Sequence, residues 1–219
     1  MKRPLFSIFD IVGVAMAVTC SFALFTACDD DDDGVSSVSG SITSSTGTIN
    51  GYEYVDLGLS VKWAICNIGA SSPSDYGDYF AWGETETKDE YTNDNSVTYG
   101  DSSFGDISGN ATYDVATANW GKKWRMPTRS EFEELLDDCT WTYTTQENSD
   151  GEEITGYLVE GTNGNSIFFP RHCSYWSSTH STSNSAYNLV LQSDNGSYNH
   201  FVDNDDSNQR YEGLIIRPV

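Results

Sequence analysis

The chain has 219 residues and a formal net charge of −22 at neutral pH, with 33 acidic against 11 basic residues. So acidic a chain repels phosphate backbones and anionic membrane surfaces, which argues against nucleic acid as a partner. Six tryptophans and an aromatic content of 13% favour a packed domain over a disordered chain.

The N-terminal segment has the pattern of a secretory signal. A basic start at Lys2 and Arg3 precedes the mostly apolar stretch 11–27, whose last small residue is followed directly by Cys28. A cysteine in that position resembles the cleavage site of bacterial lipoproteins. The resemblance implies a signal peptide over residues 1–27 and a mature chain whose first residue, Cys28, carries diacylglycerol on its thiol and usually a further acyl chain on its amine. An uncleaved transmembrane anchor is the alternative, although the apolar stretch lies at the lower length limit for spanning.

Five aspartates, Asp29–Asp33, follow the cysteine. Such a run is ordinarily a solvated spacer, because like charges repel and keep the chain extended. It also resembles the acidic export signal of surface lipoproteins in Bacteroidota, whereas in other Gram-negative bacteria an aspartate in this position tends to retain a lipoprotein at the inner membrane. We predict a lipid-anchored protein of the outer membrane that faces the exterior, with a flexible acidic and Ser/Gly-rich tether over residues 28–50 and one domain over 51–219.

Hydrophobic patterns predict both helices and strands in that domain. Thr128 and Glu131 form a capping box before an amphipathic helix, and a second helical stretch is predicted over 114–119. A long polar segment over 83–110 has no hydrophobic period and is predicted to be a surface excursion. The predicted strands are 52–57, 59–64, 79–82, 157–159, 166–170, 175–178, 186–191 and 214–219. The fold class is therefore α+β.

Three blocks of sequence carry a resemblance to a known family. The first consists of 54–59, 62–64, 66–70 and 76–84, the second of 116–121 and Trp124-Arg125-Met126-Pro127-Thr128 with Glu131 and Leu135, and the third of 175–178 and 217–219. Together they resemble the Fibrobacter succinogenes major paralogous domain, which is widespread in secreted and surface proteins of Bacteroidota. The resemblance spans 52–219 and implies a C-type-lectin-like fold with two short helices and a mixed, mostly antiparallel β-sheet. That fold is related to the fold of the formylglycine-generating-enzyme group. The resemblance implies no reaction, because the family has no established activity.

Candidate catalytic and metal-binding residues form no recognisable set. Nothing in the sequence orders the three histidines into a triad, and the relatives of this fold that are oxidases use paired cysteines or copper, which Cys173 alone does not supply. Cys66 and Cys139 lie beside tryptophans, where buried thiols and a disulfide are equally compatible with the sequence. The acidic run 203–208 could hold calcium, but it lacks the glycine and distal glutamate of an EF-hand loop and is predicted to be a solvated loop. We therefore predict no catalytic residue, no metal and no cofactor.

The segment 172–211 is rich in Asn, Ser, Tyr, Asp, His and Thr and contains no lysine. These residue types supply rigid aromatic contact and adaptable hydrogen bonding, as in antibody paratopes. They are also the types that diversity-generating retroelements produce in C-type-lectin-like display proteins. We predict that C-terminal loops recognise an extracellular glycan, peptide or host protein through Tyr187, Asn188, Tyr198, Asn199, His200, Asp203, Asn204, Asp205 and Asn208. The alternatives are a structural or assembly subunit of a cell-surface complex and, less favoured, an enzyme of the formylglycine-generating type.

Overall fold

The structure is a computed structural model that describes residues 46–194, 197–203 and 208–219; of residues 193, 194 and 197–199 only the backbone is described. The helices in these ranges are α1 (Val115–Trp120) and α2 (Arg129–Asp138), and a short 3₁₀ turn spans Asn93–Asn95. The strands are β1 (Thr46–Ile49), β2 (Tyr52–Val55), β3 (Trp63–Ala64), β4 (Thr140–Glu147), β5 (Glu153–Glu160), β6 (Ser166–Pro170), β7 (Cys173–His180), β8 (Ala186–Asp194) and β9 (Ser197–Asp203).

These strands form three three-stranded sheets, each in the sequence order β1-β2-β3, β4-β5-β6 and β7-β8-β9. Every pairing between named strands is antiparallel, and one isolated bridge, between Tyr175 and Ile215, is parallel. The prediction of an α+β domain with two helices and mostly antiparallel pairing is therefore confirmed. The predicted single sheet is replaced by three smaller ones, because each group of three strands is joined by short local connections.

The first hairpin begins before the predicted domain boundary at Gly51. β1 pairs with β2 so that Ile49 lies opposite Tyr52, and the two residues between them, Asn50 and Gly51, both have positive φ angles of 52° and 89°. An Asn-Gly pair with both φ values positive is the usual two-residue hairpin turn. The Asn50 amide donates to the carbonyl of Trp120 at 2.8 Å, which ties the turn to α1. Residues 46–50 therefore belong to the domain and not to the predicted tether.

Capping interactions fix both helices. The Asp114 carboxylate accepts hydrogen bonds from the backbone amides of Gly109, Thr117 and Met126, so it begins α1 and also holds the loops on either side. The predicted capping box of α2 is confirmed: Thr128 Oγ1 accepts from the Glu131 amide, and the Glu131 carboxylate accepts from the Thr128 amide at 2.7 Å. Because Glu131 also forms an ion pair with Arg125, the start of α2 is joined to the preceding block.

The C-terminal segment 214–219 forms no regular strand, although a strand was predicted there. It instead exchanges backbone hydrogen bonds with several parts of the domain in turn: Leu214 with Phe80, Ile215 with β7, Ile216 with Ile68, Pro218 with β3, and Val219 with Arg125. Each of these partners offers only one or two bonds, which is why no continuous ladder forms. The segment nevertheless lies at the centre of the fold, and Leu214, Ile215 and Ile216 are buried.

Two clusters of buried side chains form the core. One contains Trp63, Phe132 and Phe169, and the other contains Trp82, Trp124, Trp176 and Met126 among its members. The large excursion over 83–110 is less superficial than predicted, because Thr98 and Ile107 are buried within it. Across the described residues, no helix is both long enough and apolar enough to cross a membrane.

Candidate functional site

The predicted binding residues are divided between the two faces of the β7-β8-β9 sheet. Tyr187 alternates along β8 with Leu189 and Leu191, which belong to the first core cluster beside α2. Its ring lies under the Arg129 guanidinium of α2, 4.4 Å from guanidinium carbon to ring centroid. His200 on β9 is opposite Leu191 and stacks on Trp141 with ring centroids 4.6 Å apart. Tyr187 and His200 therefore lie on the side of the sheet that α2 covers.

The other face carries Asn188, Asp203 and Asn208. Asn188 is fully buried, and its Oδ1 accepts a hydrogen bond from the Asn208 amide at 2.9 Å. Asp203 lies opposite Asn188 in the β8–β9 register and is half-buried. Because Asn188 exposes no surface, it is a structural residue that holds Asn208, which corrects its prediction as a ligand contact.

The remaining predicted contacts are described only in part or not at all. Tyr198 and Asn199 pair through their backbones with Ser193 and Gln192 in the β8–β9 ladder. Asn204 and Asp205 lie outside the described residues, as does most of the run 203–208 that was weighed as a calcium loop. Among the residues that the structure does describe, no group of three or more His, Cys, Asp or Glu side chains could hold a metal ion.

A groove of about 520 Å³ lies between α2 and β9. It is lined by Glu133, Leu136, Asp137, His200, Phe201 and Val202. Burial lowers the pKa of His200, and its Nδ1 is buried with no hydrogen-bond partner in the described structure. Phe201, in contrast, keeps 41% of its surface exposed. The groove thus combines two carboxylates with an uncharged imidazole and an exposed aromatic ring.

A second surface, the Arg210 loop cluster, consists of the loops 98–101, 181–185 and 208–211. Arg210 is fully buried and donates to the backbone carbonyls of Thr98 (3.0 Å), Asp101 (3.1 Å), Thr182 (2.5 Å) and Ser185 (3.2 Å). Its guanidinium also stacks on Trp82 at 4.4 Å from the ring centroid. Burial lowers the pKa of Arg210 to about 10, which leaves it cationic at neutral pH. One buried cation therefore holds three loops in a single arrangement.

The outer side of this cluster carries polar and aromatic groups. Tyr99 and Tyr211 meet edge to face with ring centroids 5.1 Å apart, and both are partly exposed. The Gly100 amide donates to the Ser183 carbonyl, and the Arg210 amide donates to that of Asn184. Sequence reasoning named only Asn208 here. The sequence does contain a signal for this cluster: Arg210 is the sole Lys or Arg in 172–211. A lone cation in such a polar stretch favours a structural role.

The three cysteines that the structure describes are all partly buried. Cys66, Cys139 and Cys173 are all free thiols, so the disulfide that the sequence left open is not formed. Burial raises the pKa of all three, to about 11 for Cys139 and about 12 for Cys173. Since the thiolate is the reactive form, burial disfavours reaction of these thiols.

No family model, curated protein or solved structure matches this chain. What can be stated of its class therefore comes from its own architecture: an α+β domain of three antiparallel sheets and two helices, with a loop surface organised around one buried arginine. The resemblance to the Fibrobacter succinogenes major paralogous domain stays a prediction.

Proposed function

We propose that this protein is a lipid-anchored, surface-displayed binding protein. Its domain would be a C-type-lectin-like member of the Fibrobacter succinogenes major paralogous family that recognises an extracellular ligand through the Arg210 loop cluster. The observation that carries the proposal is the set of four loop carbonyls that Arg210 holds. The two short helices, the antiparallel sheets and the closeness of β3 to the C-terminal segment support the fold assignment.

A binding role follows from how such loops are stabilised. Loops that must be ordered by a ligand lose affinity to that ordering, whereas loops held in advance do not. In this cluster a guanidinium satisfies the carbonyls from inside, so the outward groups of Tyr99, Asn184 and Tyr211 stay available at little entropic cost. Tyrosine with neighbouring amides and hydroxyls is the combination that paratopes use. Glycans and peptides are the ligands that such a surface suits best.

The same residue types support the proposal that a retroelement diversifies this region. Substitutions on the outward side of 181–185 and 208–211 would change the surface without removing Arg210 or Asn188. A reverse transcriptase gene and a near-copy template repeat beside this gene would support that origin, and their absence would remove it without affecting the binding role. An enzyme of the formylglycine-generating type is a weaker proposal, since it would need two reactive thiols.

Binding can be tested with the full lipidated chain on arrays of bacterial and host glycans and peptides. Tyr211→Ala and Asn184→Ala should each weaken binding to any captured probe by about 1–3 kcal/mol if they are hot spots. Glu152→Gln, an exposed change in the β4–β5 turn, is the matched control. If both loop variants bind as tightly as the parent chain, the Arg210 loop cluster is not the recognition surface.

The lipid anchor has its own test. Cys28→Ser should abolish acylation, so that the chain is found in the soluble fraction or remains unprocessed. A variant that still sediments with membranes after washing would show instead that residues 11–27 are an uncleaved anchor. Replacing Asp29–Asp33 with alanine should keep acylation but reduce cleavage by protease added to whole cells, if the acidic run directs surface display.

Assembly with other subunits is a second candidate function, favoured by the exposure of β9. Among the described residues β9 pairs only with β8 in its sheet, and Phe201 on it is 41% exposed. Unpaired strand edges and exposed aromatic side chains are common at protein interfaces. A mass in solution that rises with concentration, and that Phe201→Glu returns to the monomer value, would favour this function. A constant monomer mass would count against self-assembly.

A further inference from the structure

Positive charge is distributed unevenly over this acidic domain. From residue 46 onward the sequence holds nine Lys and Arg residues. Four of them, Lys62, Lys122, Lys123 and Arg125, line a single pocket. No Asp or Glu side chain lines that pocket in the described structure. In a chain of net charge −22, a group of four cationic side chains around one pocket indicates a binding site for an anion.

The pocket, here called the lysine pocket, has a volume of about 320 Å³. Its remaining walls are formed by Ile49, Tyr54, Val61, Gly109, Trp124 and Val219. Trp124 is fixed at the base, because its indole nitrogen donates to the Ile49 carbonyl at 3.0 Å and only 1% of its surface is exposed. The pocket therefore has apolar and aromatic walls with cations around them, which is the usual composition of a small-molecule site.

Three of these cations are available to a ligand. Lys62, Lys122 and Lys123 are exposed and form no ion pair with any described residue. The Lys62 ammonium lies over the Tyr54 ring, 4.5 Å from its centroid, which holds it beside the pocket. By comparison, Lys88 is paired with Glu84, and Arg129 with Glu133.

Arg125 has a different part in the pocket. Its guanidinium is occupied by the Glu131 carboxylate, and its backbone exchanges two hydrogen bonds with Val219. The hydrogen bond to Glu131 raises the pKa of Arg125, although burial opposes this change. Arg125 therefore positions the wall that carries Lys122 and Lys123, while the lysines supply the free charge.

We propose that the lysine pocket binds a small organic anion: a carboxylate or sulfate group on a body of monosaccharide to disaccharide size. Such a ligand matches the pocket volume, places its charge among the lysines and lays its ring against Tyr54, which Trp124 supports from beneath. A long polyanion is disfavoured, because most of its charge would lie over the acidic remainder of the surface. A small anion within the pocket is affected less, since charges beyond about 8 Å are largely screened at physiological salt. This site uses no residue of the Arg210 loop cluster, so it does not rest on the proposed function.

The test is calorimetric titration of the full lipidated chain in a non-ionic detergent. The probes are glucuronate and glucose 6-sulfate, with neutral glucose as their matched control. At least one anionic probe should bind saturably, glucose should not, and added NaCl should weaken the binding. The double variant K122Q/K123Q should bind at least about tenfold more weakly. The control K88Q/R129Q, which removes the same charge elsewhere, should leave the affinity unchanged.

Several results would overturn the proposal. If neither anionic probe binds at about 10 mM, or if glucose binds equally well, the pocket is not an anion site. If both double variants weaken binding to the same extent, the effect is one of net charge and not of this pocket. Circular dichroism and melting temperature establish that each variant is folded, and Lys62→Gln gives an independent single-charge test from another wall of the pocket.

Discussion

Two buried arginines that pair with no carboxylate of the described residues are the most unusual residues of this domain. Arg217, like Arg210, is fully buried, and it donates to Asn67 Oδ1 (2.8 Å) and to the carbonyls of Ala64 (3.1 Å), Ile65 (2.5 Å) and Phe168 (3.0 Å). Burial lowers its pKa. Removing a guanidinium of this kind would leave several buried carbonyls without donors, and each such group costs free energy.

We expect Arg210→Lys to lower the free energy of unfolding by about 2–4 kcal/mol. A lysine keeps the charge, but its single ammonium cannot reach four carbonyls in two loops, and it loses the flat contact with Trp82. Urea denaturation followed by tryptophan fluorescence measures the change. Arg129→Lys, in an exposed pair with Glu133, is the control and should cost less than about 1 kcal/mol. Equal effects of the two substitutions would contradict the organising role of Arg210.

The burial of His200 leads to a prediction about how the stability of the domain depends on pH. Burial lowers its pKa below the ordinary value of 6.5, although Glu133 and Asp137 line the same groove. The unfolded state therefore binds a proton more readily than the folded state. The stability that neutral His200 contributes is complete above pH 6.5 and is lost as the pH falls towards the lowered folded-state pKa.

His200→Phe should accordingly flatten the decline in stability between pH 7 and pH 5, because the ring contact with Trp141 is kept and the titration is removed. Denaturant titrations at several pH values measure this slope. Gln192→Ala on β8, an exposed change that removes no titratable group, is the control and should keep the slope of the parent chain. A slope that His200→Phe does not alter would show that carboxylates alone set the acid sensitivity.

Among the elements, α2 is the one whose sequence specifies its structure most fully. Thr128 and Glu131 cap each other, and Phe132 and Leu135 point into the core at helical spacing. Although burial of Glu131 opposes it, the hydrogen bonds from Arg125 and Thr128 lower the pKa of Glu131. The carboxylate is therefore ionised when it serves both the cap and the ion pair.

We expect Thr128→Ala to cost about 1 kcal/mol in the free energy of unfolding, as a lost N-cap. Glu131→Ala should cost more, about 2–3 kcal/mol, because it leaves Arg125 without its partner as well as removing half of the capping box. Both costs can be measured by thermal and urea unfolding. Ser130→Ala, exposed in the same turn, should change little. Should Thr128→Ala cost more than Glu131→Ala, the ion pair would carry less energy than its geometry indicates.

Local patterns predicted some elements closely, and their failures have physical causes. The strand over 166–170 and the helix after Thr128 were found because their hydrophobic periods and caps act within a few residues. β2 lies within the predicted strand 52–57, but β1 was missed because most of its residues are small and polar, although Asn50-Gly51 is a strong turn signal. β4 was missed for a similar reason: it alternates threonine with Trp141 and Tyr143, a pattern that indicates a half-buried strand only once its partner is known.

The candidate site was less accessible to sequence reasoning than the fold. Residue types in 172–211 suggested a binding region, but types do not reveal which face of a strand a side chain occupies. Asn188 is buried while Tyr187 is half-exposed, because neighbours in a strand point in opposite directions. The loops 98–101 and 181–185 are joined by the Gly100–Ser183 backbone hydrogen bond and by Arg210, which reaches Thr98 across 112 residues of sequence. Contacts of that range follow from the tertiary fold and not from local pattern.

On the scale of the whole molecule, the C-terminal segment joins the two core clusters. Ile215 belongs to the first cluster and the adjacent Ile216 to the second. We expect Ile215→Ala and Ile216→Ala to cost about 2–5 kcal/mol each. Because the same backbone links the clusters, each variant should still unfold in one transition, with fluorescence and circular dichroism curves that coincide. Separate midpoints for the two probes would mean that the clusters are independent.

The position of that segment also has a consequence in time. Its partners lie early in the chain: Arg217 bonds to Asn67 and Ala64, across 150 and 153 residues. Such distant contacts form late in folding, because the long intervening chain must lose conformational entropy before these contacts can stabilise the fold. A ribosome that has already made most of the domain would therefore still hold a chain with Trp63 and Trp82 incompletely enclosed. Synthesis of residues 214–219 is therefore the step that allows both core clusters to close.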